Sequence, residues 1–167
     1  MEEREIMNVD VLFVGGGVGS LSGALHLSNL IRRHNEKVDA EGQGKKMEEV
    51  MIAVVEKGAF VGAHGISGAV MNPVALKELV PDFIEKGAPL EGEVKSEQVC
   101  MLTKRGRIKA PITPPPLNNH GHYVVSLSRL TEWLGKLVEE AGVYMFPGFA
   151  GTEVLYENER VIGIRTG

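Results

Sequence analysis

The sequence predicts an α/β fold in which helices cover a parallel sheet. Three observations support this prediction: an apolar run at 11–14 that leads into glycines, a second apolar run at 51–55, and a strand-like run at 143–146 that follows an amphipathic segment. Buried parallel strands read as continuous apolar runs, and the helices between them carry one apolar stripe. The alternation of strand and helix therefore indicates crossover units within one layered domain.

Length and composition fit one globular domain and exclude several classes of protein. The chain has 167 residues, of which 43% are apolar and 24% are charged, as is ordinary for soluble proteins. A formal net charge of −4 with no Lys/Arg-rich run argues against nucleic acid as a partner. Cys100 is the only cysteine, so this chain alone forms neither an internal disulfide nor a multi-thiolate metal site.

The N-terminal region gives no sign of export or membrane insertion. Met1–Glu5 is acidic and lacks the basic start of a signal peptide. Val11–Ile31 carries no formal charge, but its glycines and serines favour a buried strand and helix over a membrane helix. We therefore expect no transmembrane segment and a cytoplasmic protein.

The first element is a strand that ends in a glycine turn and continues into a helix. Gly15 and Gly17 match the first two positions of the GxGxxG dinucleotide fingerprint, and Ser20 stands at the third. Backbone N–H groups at such a helix N-terminus favour a phosphate. The pattern predicts a Rossmann-like unit with a pyrophosphate site, although an imperfect fingerprint leaves a purely structural glycine turn as an alternative. The predicted site residues are Gly15, Gly16, Gly17, Val18, Gly19 and Ser20.

The first helix is predicted to end near Arg32-Arg33-His34, where basic side chains complement the helix dipole. The segment 35–49 is charged, contains Gly42 and Gly44, and has no apolar period. It is interpreted as an exposed insertion before the second strand, with a short helical piece.

The second strand ends at Glu56. In dinucleotide-binding folds an acidic residue at this position accepts hydrogen bonds from the adenosine ribose, usually about 20 residues after the glycines. Glu56 follows Gly15 by 41 positions, so this role requires 35–49 to be an insertion. The alternative is a solvated strand end.

A second glycine-rich loop follows at 62–69. Such backbone indicates tight turns or the close approach of a ligand. Asn72-Pro73 is predicted to open a helix that ends before Pro81, and Asp82–Gly92 is interpreted as a polar connection.

Two β-hairpins and one crossover complete the chain. Val94–Leu102 pairs with Arg107–Ile112 in the first predicted hairpin, and Thr152–Tyr156 pairs with Arg160–Arg165 in the second. Between them a helix capped by Ser126 or Ser128 leads to a strand at 143–146, which is expected beside the first strand. His120 and His122 precede this helix without a nearby carboxylate or thiol, which favours loop hydrogen bonds over a metal site.

Five blocks of sequence carry a family resemblance across nearly the whole chain. They are Val54–Lys57, Gly62–Ala69, Lys86–Leu90, Asn118–Val125 and Phe146–Ala150. With these blocks the chain resembles the N-terminal part of the electron transfer flavoprotein–ubiquinone oxidoreductase family, within the glutathione-reductase-like FAD enzymes that include the geranylgeranyl reductases.

The resemblance implies a Rossmann-like FAD-binding domain with β-hairpin insertions. It implies that the turn Gly15–Ser20 holds the FAD pyrophosphate and that Glu56 holds the ribose. The loop at 62–69 would approach the flavin side of the cofactor. The further cofactor-binding residues expected on this basis are Lys57, Gly62, Gly65, Ser67, Gly68 and Val154. Val18 and Ser20 depart from the family pattern, in which proline and glycine are common.

The resemblance also implies an electron path and partners. On this basis electrons would pass from reduced electron transfer flavoprotein, through FAD and a four-iron four-sulfur cluster, to membrane ubiquinone. No residue of this chain is expected to act as a catalytic acid or base, because the flavin performs the redox chemistry.

The family's chain is several times longer than this one. The later FAD segment, the quinone region and the cluster cysteines would therefore lie in absent sequence, and Cys100 alone cannot hold the cluster. We expect an incomplete domain, inactive in isolation: a fragment, a truncated frame, or half of a split protein completed by another polypeptide. The complete protein would be peripheral at the inner face of the membrane.

Three other functions are compatible with the same sequence features. A geranylgeranyl-reductase-like or hydroxylase-like flavoenzyme shares the same opening architecture. An NAD-dependent dehydrogenase would use the same strand, turn and helix, but with a shorter gap before the acid. A truncated nucleotide-binding domain without activity is the non-enzymatic alternative.

Overall fold

The computed structural model describes residues 5–167, with the side chain of Ser67 excepted. The start of the predicted acidic N-terminus, residues 1–4, lies outside the described residues. The chain divides into two compact units. One comprises the chain up to Gly65 together with Thr131–Gly167, and the other comprises Ile66–Leu130.

Ten strands and three α-helices follow one another in the described part of the chain. The strands are β1 (Val11–Val14), β2 (Ile52–Glu56), β3 (Ser67–Met71), β4 (Leu90–Glu93), β5 (Cys100–Thr103), β6 (Gly106–Lys109), β7 (Tyr123–Ser126), β8 (Tyr144–Pro147), β9 (Gly151–Glu157) and β10 (Arg160–Thr166). The helices are α1 (Val18–Glu41), α2 (Val74–Leu79) and α3 (Leu127–Glu140), and a short 3-10 helix spans Pro115–Leu117.

A parallel sheet of order β1-β2-β8 forms the centre of the first unit, which confirms the predicted α/β class. The register pairs Val11 with Ile52 and Glu56 with Pro147. The prediction that the strand at 143–146 lies beside the first strand is wrong, because β8 pairs with β2. The physical reason lies in burial: β2 is the strand whose apolar run, Ile52–Val55, is buried throughout, so it takes the central position.

Helix α1 runs to Glu41 and is longer than the sequence analysis predicts. No glycine or proline interrupts the chain between Gly23 and Gly42, and Gly42 then ends the helix with φ +62 and an N–H bond to the Val38 carbonyl. The amide of Asn35 donates to the Met47 carbonyl and accepts from the Met47 N–H, at 2.9 and 2.8 Å. These two hydrogen bonds hold the backbone of Met47, in the loop after the helix, against the C-terminal part of α1.

The core of the first unit lies between this sheet and two helices. Leu21 and Ala24 of α1 and Leu134 and Val138 of α3 are almost completely buried. The Ser28 hydroxyl of α1 donates to the Ala141 carbonyl just after α3, at 2.7 Å. Both helices thus present the apolar stripes that the sequence periodicity predicts.

The second unit contains an antiparallel sheet of order β3-β7-β4 and the hairpin β5-β6. The hairpin confirms a predicted element, with shorter strands than expected. Strand β4 was not predicted, and its first three residues fall in the segment 82–92 that the sequence analysis interprets as a polar connection. Its sequence, Leu-Glu-Gly-Glu, has one apolar residue and so gives almost no alternation signal. Phe83 is buried in the same segment and packs edge-to-face on Tyr123.

The last hairpin, β9-β10, confirms a predicted element. The predicted turn comprised Glu157, Asn158 and Glu159, whereas Glu157 pairs with Arg160 and leaves a two-residue turn. Asn158 and Glu159 have φ angles of +47° and +63°, both in the left-handed region. A type I′ turn requires this backbone, and it favours Asn-Gly. Asn158 fits the first position well, whereas Glu159 is strained at the second.

Replacing Glu159 by glycine is expected to raise the free energy of unfolding by about 0.5–1 kcal/mol, because glycine relieves this strain. Urea denaturation of the two chains measures the change. Glu157→Gly is the matched control: it places glycine in the adjacent strand and should lower the free energy of unfolding by about as much. A loss of stability on Glu159→Gly would mean that the turn is not as described.

Candidate functional site

The glycine turn between β1 and α1 is tied to the neighbouring strand. Gly15 has φ +100°, a conformation that side-chain-bearing residues rarely adopt, and its N–H donates to the Val55 carbonyl at 2.7 Å. Gly17 is extended, with φ −80° and ψ 168°, and α1 begins at Val18. The carboxyl ends of β1 and β2 therefore meet at this turn.

The space in front of the turn is open. A Cβ atom built on Gly15, Gly17 or Gly19 meets no atom within 4 Å among the described residues. Gly16 differs, because its Cβ would lie 3.1 Å from the Cβ of Glu56. The turn thus has a packed side at Gly16 and an unfilled side at Gly17 and Gly19.

Helix α1 begins at the unfilled side of the turn, so the positive end of its dipole lies there. The first N–H groups of a helix have no carbonyl partner within it. In the described structure, no side chain caps α1 at Gly17, and its first turn contains no acidic residue. The helix dipole and these N–H groups together favour an anion in the open space.

Glu56 joins the turn to the end of β2 through both of its carboxylate oxygens. Oε2 accepts from the Gly16 N–H at 2.6 Å, and Oε1 accepts from the Gly58 N–H at 2.7 Å. The side chain is 13% exposed. His64 Nδ1 lies 3.6 Å from Oε1. The structure therefore brings together the two features that the sequence analysis singled out, the glycine turn and the strand-end acid.

The pKa of Glu56 is lowered below its ordinary value. Burial alone would raise the pKa, and it is the largest single influence. The N–H groups of Gly58 and Gly16, with a smaller contribution from His64, outweigh burial because they stabilise the charged form. Glu56 is therefore ionised at neutral pH and acts only as a hydrogen-bond acceptor.

This lowered pKa predicts a pH dependence of stability. A carboxyl whose pKa is lower in the folded state stabilises the fold above its unfolded pKa, and that contribution is lost as the pH falls through the folded pKa. The free energy of unfolding of the wild type should therefore fall more steeply than that of Glu56→Gln as the pH drops below about 4.5. Urea denaturation at several pH values measures both slopes. Parallel curves would show that the carboxylate is not held as described.

The remaining predicted site residues occupy two regions. Lys57 is exposed next to Glu56, and Gly62 and Gly65 lie in the tight turn that follows, where the Gly65 N–H donates to the Gly62 carbonyl. Ser67 and Gly68 begin β3 in the second unit.

Val154 of β9 pairs with Ile164 and is partly exposed. Its assignment to the cofactor stays a prediction.

Gly58 and His64 also belong to this site, and the sequence analysis did not assign them to it. A Cβ on Gly58 would lie 3.1 Å from Glu56 Oε1 and 3.2 Å from His64 Nδ1, so a larger residue there would require these side chains to shift. A signal exists in the sequence, because Gly58 directly follows the block Val54–Lys57 and His64 lies in the block Gly62–Ala69. What the sequence could not show is that the loop folds back onto the carboxylate.

Residues 5–167 lack two kinds of feature. No helix is long and apolar enough to cross a membrane. No three His, Cys, Asp or Glu side chains are grouped so that they could hold a metal ion. His120 and His122 engage their loop through backbone atoms: the His120 N–H donates to Asn118, and the His122 carbonyl accepts from Val94.

Comparison with known sequences finds close similarity to one kind of protein. The chain is 44% identical over 166 residues to the mitochondrial electron transfer flavoprotein-ubiquinone oxidoreductase of Mus musculus, 41% to that of Homo sapiens, and 43% over 164 residues to that of Dictyostelium discoideum. Each match covers 98% of this chain and 25% of the relative, so the chain spans about a quarter of their length. No family model matches the chain. The resemblance stated from the sequence is confirmed.

Comparison with solved structures shows the fold. A geranylgeranyl bacteriochlorophyll reductase-like protein from Thermoplasma acidophilum matches with a TM-score of 0.58 and 18% identity, over 94% of this chain and 34% of that one. A myxobacterial chondrochloren halogenase, described as a variant of FAD-dependent halogenases, matches with a TM-score of 0.60 and 19% identity, over 95% and 32%. The chain therefore has the Rossmann-like fold of FAD-dependent oxidoreductases, as predicted.

Proposed function

We propose that this chain binds FAD, with the diphosphate at the turn Gly15–Ser20 and the adenosine ribose at Glu56. The observation that carries the proposal is the Glu56 carboxylate fixed at 2.6 Å from the Gly16 N–H, beside the open side of the same turn. Anion-favouring amides and an ionised acceptor thus stand next to each other, as a nucleotide diphosphate and its ribose require.

The acceptor capacity of Glu56 fits a sugar. A carboxylate offers about four lone-pair sites, two on each oxygen. One site on each oxygen is taken by a backbone N–H, from Gly16 and from Gly58. Each oxygen keeps one site, and the pair suits the two neighbouring hydroxyls of a ribose.

The open side of the turn fits a diphosphate. Side chains at Gly17 or Gly19 would project into space where the described residues place no atom within 4 Å of the added Cβ. Ser20 adds a hydroxyl at the third fingerprint position. We assign the contacts to Lys57, Gly62, Gly65, Ser67, Gly68 and Val154 on the family resemblance. Bound flavin would supply the redox chemistry, and this chain would position it.

The sequence relatives extend the proposal to the complete protein. Since they are named electron transfer flavoprotein-ubiquinone oxidoreductase, we propose that this chain is the FAD-binding portion of an oxidoreductase that passes electrons from electron transfer flavoprotein to ubiquinone. The iron–sulfur cluster and the quinone site would then belong to sequence outside this chain. A geranylgeranyl-reductase-like activity has weaker support, because that likeness is one of fold at 18% identity.

Titration of the purified chain with FAD tests this proposal. Quenching of flavin fluorescence should follow a saturable curve, and ADP should compete because it carries the same diphosphate and ribose. NAD⁺, which carries the same adenosine diphosphate but no flavin, serves as the control and should bind more weakly than FAD. Tighter binding of NAD⁺ than of FAD, or no saturable FAD binding, would overturn the assignment.

A further inference from the structure

His64 lies beside the proposed ribose-binding carboxylate. Its Nδ1 atom is 3.6 Å from Glu56 Oε1, and its side chain is 62% exposed whereas that of Glu56 is 13% exposed. The ring is carried by the tight turn 60–65, in which the Ala63 N–H donates to the Phe60 carbonyl. The backbone of this turn therefore places an accessible ring nitrogen next to a nearly buried carboxylate.

The distance between the two atoms suits a shared ligand better than a direct bond. An N–H···O hydrogen bond spans about 2.7–3.2 Å, so 3.6 Å is too long for one. Two polar atoms at this separation can both reach a single oxygen placed between them. A hydroxyl would donate its hydrogen to the carboxylate oxygen and accept the N–H of the ring.

Gly58 keeps this gap clear. A Cβ there would lie 3.1 Å from Glu56 Oε1 and 3.2 Å from His64 Nδ1. Any larger residue would crowd both atoms at once. The turn 15–17 and the segment 147–149, which also adjoin Glu56, contribute no titratable side chain. Lys57 follows Glu56 in the chain and is exposed, and His64 is the side chain whose nitrogen faces Glu56 Oε1 at 3.6 Å.

We infer that His64 and Glu56 together bind one hydroxyl of the adenosine ribose, with His64 as donor and Glu56 as acceptor. The inference rests on the proposed function, since it names a second side chain at the same sugar. His64 thereby adds a requirement for the hydroxyl itself, because a sugar lacking it leaves the ring donor without a partner.

The test compares ADP, 2′-deoxy-ADP and 3′-deoxy-ADP on the full chain at one pH, by competition against FAD. His64→Ala should weaken ADP binding about tenfold, the effect of one lost hydrogen bond to the hydroxyl. One deoxy analogue should bind the wild type more weakly than ADP, and that penalty should shrink in His64→Ala. His64→Asn should restore most of the affinity, because its amide nitrogen can occupy a position close to Nδ1. His26→Ala, an exposed histidine on α1, is the matched control and should change nothing.

The outcomes separate this inference from the proposed function. Failure of the wild type to bind either FAD or ADP overturns both. Normal ADP binding with an unchanged affinity in His64→Ala overturns the inference and leaves FAD binding in place. An equal deoxy penalty in wild type and His64→Ala also overturns it, since the histidine would then not contact the hydroxyl.

Discussion

Replacing Glu56 by glutamine is expected to lower the affinity for FAD about 10- to 100-fold and the free energy of unfolding by about 1–3 kcal/mol. The carboxylate accepts one backbone N–H on each oxygen, from Gly16 and from Gly58. A glutamine amide has one oxygen, so its NH₂ group must face one of these N–H donors whichever way it is turned. One donor is then left unsatisfied, and the ribose loses half of its acceptor.

Fluorescence titration with FAD and urea denaturation measure the two effects on the same protein. Glu41→Gln is the control, because that side chain is exposed at the end of α1 and its ion pair with Lys37 contributes little. If Glu56→Gln bound FAD as tightly as the wild type, Glu56 would be a structural tie between strand and turn and would not be a sugar ligand.

Replacing Gly17 by serine should separate binding from folding. Serine is a favoured residue before the first helical turn, so the free energy of unfolding should stay the same or rise slightly. The added side chain projects into space that is open in the protein, because a Cβ on Gly17 meets no atom within 4 Å. If a diphosphate lies there, FAD affinity should fall about tenfold or more, a change of about 1.4 kcal/mol.

Gly16→Ala is the matched variant on the packed side of the turn. Its Cβ would lie 3.1–3.3 Å from three atoms of the Glu56 side chain, so the carboxylate must shift. This variant should lose both stability and affinity. The account is wrong if Gly17→Ser binds FAD normally, because the open space would then not be the cofactor site.

The fold class and the turn could be predicted because their signals are local. The apolar run of β2, the glycines after β1 and the stripe of α3 each lie within one short stretch. The hairpin β9-β10 was equally readable from its turn residues. Local apolar runs, periodicity and turn residues are therefore sufficient to predict these elements.

The strand order of the parallel sheet, the proximity of His64 to Glu56 and the strand β4 could not be predicted in this way. The placement of β8 against β2 depends on which strand of the sheet is hydrogen-bonded on both of its edges. That is a property of the whole sheet and not of one segment. The contact of His64 with Glu56 depends on how a tight turn folds back over a strand end, and a lone histidine in a glycine-rich loop gives no sign of that. Strand β4 escaped because Leu90–Glu93 contains too few apolar residues to alternate.

The most direct measurement is a ¹H–¹⁵N correlation spectrum of the labelled chain with and without FAD. If the turn holds the diphosphate and Glu56 the ribose, the largest shifts should fall on the amides of residues 16–20 and of Gly58. Saturating FAD that left these amides unmoved, or that shifted only residues elsewhere in the chain, would contradict the account.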